Sequence, residues 1–572
     1  MNLPPWGRLR EKGGGHLQWQ IVTNVYLAVL RLLSPLLAVW ILLRCAIPLL
    51  TFRREAEIWG WLESPDGTRL PICHWENVLG RSRHCDIVLE FPTISRRHGV
   101  LTRYDDGSWT ICDIAGKTGT QVNGETIQIE VLSPGDRLQL GGVPLRFMPA
   151  DGAELPRHSA CNGWRSAGNA LLLTLLQGSI CLGCLLQGAA RDSSLLVWCG
   201  LAALQWGLLL FYRCIRRRCF EVETLACLLC TMGLTIIGSV SPAEAVKQLV
   251  AIALGMGLFL AVGWTLRDLQ RAKKIRYLVA VLGAALLVIT LLFGQEYYGA
   301  KNWLLLWGVS IQPSEITKIC FVYVGASTLD RLMQKRNLIL FIAYTVALCG
   351  LLACMNDFGT AMVFFSAFLM IAYLRSGSLG TVALALTALL FAAIIGLQIA
   401  PHALRRLQTW RHIWDDPYGA GYQQTQSLMC LASGGLLGLG MGNGKMRQLF
   451  ASDSDMIFAA LCEQWGVLMG LVMVLCVLVL AVFTLRCCRN GRSSFYMIAS
   501  CTAASILLTQ TVLNVLGTVD VLPLTGVTFP FVSNGGSSMV CVWALLTFIK
   551  AADTRKYGSF AVRSSVGRKV DA

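Results

Sequence analysis

Stretches of about 20 consecutive apolar residues recur along most of this chain, and they constrain its fold more than any other feature. A helix of that length crosses the roughly 30 Å of hydrocarbon in a bilayer. Hydrophobic residues make up 55% of the 572 residues and charged residues only 14%, which leaves too little polar surface for a soluble protein. We therefore predict a polytopic α-helical membrane protein.

The first apolar stretch, residues 21–50, lacks a small-residue cleavage site and precedes Arg53 and Arg54. It therefore predicts a retained transmembrane helix rather than a signal peptide. Further spans are expected near residues 167–188, 193–212, 222–240, 246–266, 276–294, 315–333, 338–355, 358–375, 380–399, 456–485, 495–518 and 535–552, with a hydrophilic interruption at 400–455. The predicted organisation is a tail and first helix (1–51), a polar domain (52–150), a linker with two extra helices (151–220), a helical core (221–552) and a basic tail (553–572).

Basic residues predict which face of the membrane protein is cytoplasmic. They carry the net charge of +16 and cluster in alternate breaks between the apolar stretches, at residues 213–218, 267–276, 331–336, 486–492 and from 550 onward. The positive-inside rule places these breaks in the cytoplasm, and such a distribution argues against a nucleic-acid partner. The same rule puts the polar domain inside and starts the first helix outside, a direction that the basic residues at 8–12 oppose. We expect a multi-pass protein of the cell membrane.

Residues 52–150 have the pattern of an all-β domain. Trp109–Asp113 follows a turn at Asp105–Gly107, and Asp136–Leu140 alternates apolar and polar residues. Many short strands separated by Gly, Asp and Asn turns indicate a β-sandwich.

Four polar motifs fall in the remaining breaks, on the face opposite the cytoplasm. They are Tyr298–Trp303 with Gln312–Lys318, Asn356–Ala361, the long interruption that ends at Asp455, and Pro523–Ser538. Chance would scatter such motifs over both faces, so their common side predicts one site at the outer ends of the helices. Glu315 and Lys318, three residues apart, share a helix face on which they can pair.

In order and spacing these motifs resemble the SEDS family, which comprises FtsW, RodA and SpoVE. The resemblance covers about residues 222–552 and rests on the strings QPSE…K at 312–318, DFGTA at 357–361, DPxGxGYQ…QS at 416–427 and TGVTxPFVSxGGS at 525–537. It implies the ten-helix SEDS core, preceded here by about three extra N-terminal helices and an inserted β-domain.

The resemblance implies a peptidoglycan glycosyltransferase that polymerises lipid II outside the membrane, in cell division, elongation or sporulation. Such a reaction needs a base for the acceptor sugar's 4-hydroxyl and cations for the leaving diphosphate. The family's essential aspartate, which ends the long outer loop, corresponds to Asp455. Residues 450–455 read Phe-Ala-Ser-Asp-Ser-Asp, without the glutamate and histidine of the family's Pro-Glu-x-His-Thr-Asp. Asp455 is predicted to be catalytic, and the alternative is a helix N-cap.

Other polar residues of the outer motifs are expected to bind substrate. They are Glu315, Lys318, Asp357, Arg411, Gln423, Gln426, Lys445 and Ser533, with Arg406 as a further cation for the diphosphate. Asp357 also suits an N-cap, and Glu315 with Lys318 a structural pair. At two positions of the first motif, Tyr298 and Asn302 replace the family's usual asparagine and arginine.

The polar domain resembles a forkhead-associated (FHA) domain, on the strings GR at 80–81, SRRH at 95–98, TGTQVNG at 118–124 and GDRLQLG at 135–141. In that family, residues at the positions of Arg81 and Ser95 hold phosphothreonine. The predicted phosphopeptide site comprises Arg81, Ser95, Arg96, Thr118 and Asn123. Thr118 stands where the family usually has asparagine, and a purely scaffolding domain is the alternative.

The two resemblances imply three partners, namely lipid II, a class B penicillin-binding protein (a transpeptidase) and a phosphothreonine-bearing protein. No residue set has the spacing of a zinc site, although a divalent cation, Mg²⁺ or Mn²⁺, would suit the diphosphate chemistry. A lipid II flippase and a catalytically silent scaffold of a cell-wall synthesis complex are the alternatives to the enzyme.

Overall fold

The computed structural model describes residues 7–52, 58–83, 85–104, 107–114, 119–154, 163–188, 191–267, 269–297, 300–306, 309–328, 335–376, 378–399, 401–489, 493–555 and 558–559. Its helices pack into a bundle around one apolar core, and the first strands form a sandwich with a core of its own.

The helices are α1 (Gly7–Thr51), α2 (Gly163–Leu186), α3 (Arg191–Cys214), α4 (Glu221–Val240), α5 (Pro242–Thr265), α6 (Leu269–Phe293), α7 (Pro313–Thr328), α8 (Lys335–Cys354), α9 (Phe358–Ser376), α10 (Leu379–Ile399), α11 (Pro401–Thr409), α12 (Tyr422–Gly434), α13 (Ile457–Arg489), α14 (Ser494–Thr518) and α15 (Gly536–Ala551). Within the described residues, ten helices are long and apolar enough to cross a membrane, namely α1 to α6, α8, α9, α13 and α14. The prediction of a polytopic helical protein is confirmed, with α1 to α3 preceding the core.

Helix α4 lies deepest in the bundle, since residues along nearly its whole length are buried. Helix α5 follows it directly: the Ser241 side chain accepts a hydrogen bond from the Glu244 amide, and Pro242 occupies the first turn, where it costs no helical hydrogen bond. Helix α15 packs along α5, where Gly255 lets the Trp543 ring approach closely. These contacts place the start of α5 beside the loop that precedes α15.

The strands of the sandwich are β1 (Ile58–Glu63), β2 (Arg69–Ile72), β3 (Glu76–Gly80), β4 (Ile87–Val88), β5 (Gly99–Arg103), β6 (Trp109–Asp113), β7 (Thr120–Val122), β8 (Glu125–Ile127), β9 (Ile129–Leu132), β10 (Arg137–Leu140) and β11 (Val143–Glu154). They form a six-stranded sheet, in the order β2-β1-β11-β10-β7-β8, and a five-stranded sheet, in the order β4-β3-β5-β6-β9. Alternate residues such as Leu62, Ile111 and Phe147 fill the space between the sheets. The predicted β-sandwich is confirmed.

The sandwich lies against one end of the helical bundle. The ring of Phe52, just after α1, packs on Phe483 of α13 with centroids 6.3 Å apart. Trp75 contacts the apolar core of the bundle, and the neighbouring Glu76 accepts a hydrogen bond from the Ser494 hydroxyl at the start of α14. Arg486, in one of the breaks predicted to be cytoplasmic, follows Phe483 on α13 and therefore lies at this end of the bundle.

The outer breaks contain helices and strands that the sequence does not predict. A small three-stranded sheet joins α6 to α7, comprising β12 (Gln295–Tyr297), β13 (Ala300–Leu306) and β14 (Val309–Ile311). The hydrophilic interruption at 400–455 contains helices α11 and α12 and a 3₁₀ turn at Met446–Gln448. Helix α13 is interrupted at Gly466, where φ is 86° and ψ is 161°. At the other end, Asp553, Arg555 and Ser559 of the predicted tail are buried.

Candidate active site

Asp455 lies at the foot of α13, two residues before that helix begins. Its main-chain oxygen accepts a hydrogen bond of 2.9 Å from Nδ2 of Asn514, which also donates to the oxygen of Val527 at 2.9 Å. The carboxylate faces Gly526, where an added Cβ would come within 3.4 Å of Oδ2 of Asp455. One buried amide on α14 thus holds the aspartate segment against the fourth outer motif.

The two residues before Asp455 bind the same motif directly. The Ser533 hydroxyl donates to the oxygen of Ser454 at 2.6 Å, while the amide of Phe529 donates to that hydroxyl at 2.8 Å. Asn534 donates to Asp453 through both its main-chain amide and its side chain, each at 2.7 Å. Ser533, predicted to bind substrate, is therefore placed by the structure as a brace for the aspartate loop.

Helix α5 supports the fourth outer motif through Gln248. Its Nε2 donates to the oxygen of Ser533 at 3.0 Å, and its Oε1 accepts from the amide of Gly535 at 3.4 Å. The Gln248 side chain is buried away from water, and these hydrogen bonds satisfy its polar atoms. Gln248, a buried polar residue of a mostly apolar helix, thus holds the fourth outer motif against α5.

The first and second outer motifs meet at Asp357. Its Oδ1 accepts from the amide of Thr360 at 3.1 Å, which caps α9, and its Oδ2 faces Nδ2 of Asn302 at 3.2 Å and Nε2 of Gln312 at 3.5 Å. Asp357 therefore both caps a helix and joins two motifs.

Two further contacts bring the fourth motif into the same cluster. The amide of Gln312 donates to the Ser537 hydroxyl at 3.3 Å. A Cβ on Gly359 would come within 2.7 Å of the Thr525 oxygen, so glycine is required at this crossing. All four outer motifs accordingly meet around Asp455.

The surroundings of Asp455 raise its pKa to about 6, from an ordinary value of 3.8. Burial is the largest cause, because protein atoms crowd the carboxylate even though part of its surface stays accessible. Arg406 and the Ser454 hydroxyl oppose the shift by favouring the charged form, whereas Asp453 and Asp357 add to it by repulsion. The result is a carboxylate that is mostly ionised at neutral pH yet basic enough to accept a proton.

Glu463, on the first half of α13, anchors the segment that carries Lys445. Its two carboxylate oxygens accept from the amides of Lys445 and Met446, each at 2.9 Å. The Lys445 side chain is left exposed at the surface. Gln423 of α12 donates to the oxygen of Phe450 at 3.1 Å and so steadies the approach to the aspartate.

Two of the remaining predicted residues are buried together rather than exposed to the site. Nζ of Lys318 and Oε1 of Glu315 are 2.7 Å apart, and both side chains are at least 95% buried. They lie in the first turns of α7, alongside Cys541 of α15. Oε2 of Glu315 is buried without a hydrogen-bond partner among the described residues.

Arg411 and Gln426 lie on the rim of the long outer segment. Arg411 has a positive φ of 64°, and its exposed guanidinium stands over the Trp410 ring at 5.1 Å. Its amide donates to Asp520, just beyond α14, at 3.5 Å. Gln426 is half-buried on α12. Both residues belong to the long outer segment that ends at Asp455.

The loops of the β-sandwich bring together Arg81, Ser95 and Arg96, three of the predicted phosphopeptide residues. The amide of Arg81 donates to the oxygen of Ser95 at 3.0 Å, and the guanidiniums of Arg81 and Arg96 are exposed. His98 is buried beneath them: its Nδ1 accepts from the amide of Ser95, and its Nε2 lies 3.2 Å from the oxygen of Gly119. His98 thus braces two loops against each other.

Two other FHA predictions have different outcomes. Thr118 lies outside the described residues. Asn123 has a φ of 53°, and its side chain binds the 133–137 turn, donating to Asp136 at 3.1 Å and accepting from the amide of Arg137 at 3.0 Å. The contacts of Asn123 therefore stabilise the sandwich itself.

Gln248, Asn514 and Glu463 were not predicted from the sequence. Each is a buried polar residue within an otherwise apolar helix. Polar groups at membrane depth are costly and usually functional, so this was the signal that could have found them.

No group of three His, Cys, Asp or Glu side chains within the described ranges is arranged to hold a metal ion. The side chains around Asp455 therefore do not fit a divalent cation on their own.

Comparisons with known proteins identify the families that this chain resembles. A family model described as cell cycle protein, FtsW/RodA/SpoVE, matches residues 221–558, and an FHA model matches residues 77–141. The peptidoglycan glycosyltransferase RodA of Mycobacterium tuberculosis is 30% identical over 333 residues, covering 55% of this chain and 71% of that protein. A probable peptidoglycan glycosyltransferase FtsW of Tolumonas auensis is 33% identical over 315 residues, covering 53% of this chain and 80% of its own. A solved peptidoglycan synthase complex contains a chain that is 24% identical, with a TM-score of 0.48, covering 58% of this chain and 97% of that one.

Proposed function

Since this chain belongs to the FtsW/RodA/SpoVE family of peptidoglycan glycosyltransferases and carries an FHA domain, we propose that it polymerises lipid II into glycan strands at the outer face of the cytoplasmic membrane. The observation that carries the proposal is the convergence of all four outer motifs on Asp455.

Asp455 is the base in this reaction. It takes the proton from the 4-hydroxyl of the acceptor sugar as that oxygen bonds to the anomeric carbon of the donor. The bond from that carbon to the diphosphate breaks, its electron pair leaves with undecaprenyl diphosphate, and the configuration inverts. A base with a pKa of about 6 suits this step near neutral pH, and such catalysis contributes roughly 10²–10⁴-fold.

The leaving diphosphate needs positive charge, and exposed cations lie in the outer segment that ends at the aspartate. Arg406 acts on the Asp455 carboxylate, while Arg411 and Lys445 lie exposed in the same outer segment. We assign diphosphate binding to these three side chains, because cations held in place lower the energy of the developing negative charge. A divalent Mg²⁺ or Mn²⁺ ion would need oxygens of the substrate as additional ligands.

The proposed orientation puts Asp455 outside the cell and the FHA domain in the cytoplasm. The sandwich and the basic breaks share one end of the bundle, whereas the outer motifs share the other. The positive-inside rule favours the basic end as the cytoplasmic one.

Purified full-length protein, supplied with labelled lipid II in detergent and with a class B penicillin-binding protein as activator, tests the polymerase. Wild type is expected to form glycan polymer. Asp455→Asn should lose at least roughly 100-fold in rate, because an amide cannot accept the proton. Asp415→Asn, at an exposed carboxylate of the same outer segment, is the matched control and should keep activity. Activity of Asp455→Asn equal to wild type would sink the assignment.

A transporter of lipid II is less compatible with the distribution of charge. Transporters bind their cargo near the membrane midplane, at helices that are interrupted there. Here Glu315 and Lys318 lie in the first turns of α7. The second buried charge cluster lies where Lys550, at the end of α15, meets Glu223, at the start of α4. Among the described residues, buried ion pairs thus lie near the ends of helices.

The FHA domain supplies the second part of the proposal, phosphothreonine-dependent regulation of the polymerase. Its exposed Arg81 and Arg96 are suited to a phosphate group. The sandwich also contacts α14 at Ser494, and the same helix holds the Asp455 segment through Asn514 at its other end. Helix α14 therefore offers a rigid connection between the two sites.

Binding of phosphorylated and unphosphorylated threonine peptides to the full-length protein tests this part. We expect the phosphorylated form to bind at least about tenfold more tightly, and Arg81→Ala to abolish the difference. Arg69→Ala, at an exposed arginine on β2 that pairs with Glu63, should retain it. Equal binding of both peptides to wild type would reject phosphothreonine recognition while leaving the polymerase proposal intact.

A further inference from the structure

A cavity of about 620 Å³ lies between the N-terminal helices and the core, apart from Asp455. It is lined by α1, the end of α2, the start of α3, the α4–α5 turn and the segment 441–447. Its volume is in the range that holds small ligands, roughly 300–1,000 Å³.

This cavity depends on helices that lie outside the matched family region. Asn24, Gln187 and Ser193 come from α1, α2 and α3, all of which precede residue 221, where the family match begins. Ser239 and Arg447 come from the core. The site therefore arises only where the extra helices pack on the core, and it is distinct from the motifs that surround Asp455.

The lining has two kinds of surface. Hydroxyl and amide side chains are contributed by Asn24, Gln187, Ser193, Ser239 and Asn443, and Arg447 adds a guanidinium. Apolar walls are contributed by side chains such as Leu27, Val197 and Leu234, and none of the described lining residues is acidic. Hydroxyl and amide groups bind a hydroxylated head, a guanidinium binds a phosphate, and apolar walls accommodate hydrocarbon.

The walls are held in place by hydrogen bonds that the ligand would not need to break. Nε2 of Gln187 donates to the oxygen of Met441 at 2.7 Å, so α2 is tied to the core segment. Gln464 of α13 connects two of the lining residues: it donates to the Ser239 hydroxyl at 2.9 Å and accepts from the amide of Gly442 at 3.4 Å. A preformed polar cavity binds with a smaller ordering cost than one that must assemble.

We propose that this cavity binds an anionic lipid whose phosphate head carries hydroxyl groups. Arg447 contacts the phosphate, the hydroxyl and amide side chains contact the rest of the head, and the acyl or isoprenoid chain follows the apolar walls. Two sources share this chemistry: a glycerophospholipid of the bulk membrane, and a polyprenyl-phosphate lipid of the proposed reaction. Only the second source rests on the proposed function.

Lipid binding to the purified full-length protein, measured by native mass spectrometry, tests the proposal. The probes are phosphatidylglycerol, undecaprenyl phosphate, phosphatidylethanolamine and inorganic phosphate. At least one of the two anionic lipids should bind about tenfold more tightly than phosphatidylethanolamine, and Arg447→Gln should remove most of that preference. Lys247→Gln changes the same charge at an exposed side chain of α5 that does not line the cavity, and it should have no effect.

The pattern of binding distinguishes the sources. Preference for phosphatidylglycerol identifies a bulk lipid, and preference for undecaprenyl phosphate identifies a lipid of the reaction. Ser194→Trp, which fills the cavity, should abolish either. Equal binding of anionic and zwitterionic lipids, or an Arg447→Gln protein that binds like wild type, would overturn the proposal. Competition by inorganic phosphate alone would also overturn it, since the site would then recognise a free anion. None of these outcomes depends on polymerase activity.

Discussion

Asp455 owes its chemical character to residues that are both near to it and far from it in sequence. Burial by the surrounding loops raises its pKa, Arg406 opposes the rise, and Asp453 and Asp357 increase it. The neighbouring Ser533, Asn534 and Asn514 use their hydrogen bonds to hold the main chain rather than the carboxylate. The carboxylate is thus positioned through its backbone, which leaves its oxygens available to accept a proton.

The raised pKa of Asp455 predicts the acidic side of the pH–rate profile. A carboxyl group with a pKa of about 6 is protonated below that pH and cannot act as a base. Polymerisation should therefore fall as the pH falls through about 6, rather than near the ordinary value of 3.8. Initial rates of glycan synthesis between about pH 5 and 8 measure this.

Two variants give the direction of the effect. Arg406→Gln removes an attractive charge and should move the fall to higher pH, while Asp453→Asn removes a repulsive one and should move it to lower pH. A rate that is flat from about pH 5 to 7 would show that Asp455 does not titrate in the rate-limiting step.

Among the helices and strands, α13 has the feature on which the arrangement of the outer region depends, namely its interruption at Gly466. At Gly466 the helical hydrogen bonds stop, and the segment 435–440 supplies replacements: the amide of Leu439 donates to the oxygen of Glu463 at 2.8 Å, and the amide of Val467 to the oxygen of Gly435 at 2.9 Å. Backbone groups at a helix break are thereby paired within the protein. The first half of the helix can then present Glu463 and the Asp455 loop at an angle that a straight helix would not allow.

Gly466→Ala should damage this element. The positive φ of 86° disfavours any Cβ, and the added atom would lie 2.2 Å from the oxygen of Leu436. We expect a loss of stability of at least about 1–3 kcal/mol and a fall in polymerisation, measured by thermal unfolding in detergent and by glycan synthesis. Gly257→Ala, at a helical glycine of α5 with no atom within 4 Å of the new Cβ, is the control and should be neutral or stabilising. Equal unfolding temperatures for both variants would contradict a structural role for the break.

For the whole molecule, a buried charge network at the basic end joins the extra helices to the core. Nζ of Lys550 lies 3.2 Å from Glu223, whose carboxylate accepts from the Tyr212 hydroxyl of α3 at 2.8 Å. Arg555 pairs with Glu221 at 3.0 Å and with Asp553 at 2.8 Å. Burial would raise the pKa of Asp553, but the charges of Arg555 and Lys550 outweigh it and hold that pKa below its ordinary value. The chain's C-terminal region is thereby bound to α3 and α4.

Arg555→Met should destabilise the protein by about 3–5 kcal/mol, because it leaves Glu221 and Asp553 buried with too little positive charge. Lys247→Met breaks an exposed pair with Glu244 and should cost no more than about 1 kcal/mol. The midpoints of thermal unfolding in the same detergent compare the two. A shift for Arg555→Met as small as that of the control would show that the network contributes specificity rather than stability.

Features that depend on composition and on local residue order can be predicted from the amino-acid sequence. Apolar length predicts membrane helices because the hydrocarbon thickness is constant, and charge counting puts the outer motifs on one face. Those motifs identified the family and singled out Asp455. The alternation of short strands likewise predicted the FHA sandwich.

Which residues contact one another becomes visible only in the folded protein. Asn514 reaches the aspartate loop across 59 residues of chain, and Gln248 reaches Ser533 of the fourth outer motif across 285. No local pattern records such pairings. The break at Gly466 follows from hydrogen bonds that the glycine-rich segment 435–440 donates and accepts, so it cannot be seen in the apolar pattern of α13. The cavity beside Arg447 exists because five separate segments leave a common space between them unfilled. Contacts between distant segments depend on shape and complementary polar groups, whereas a sequence pattern records only the preference of each segment alone.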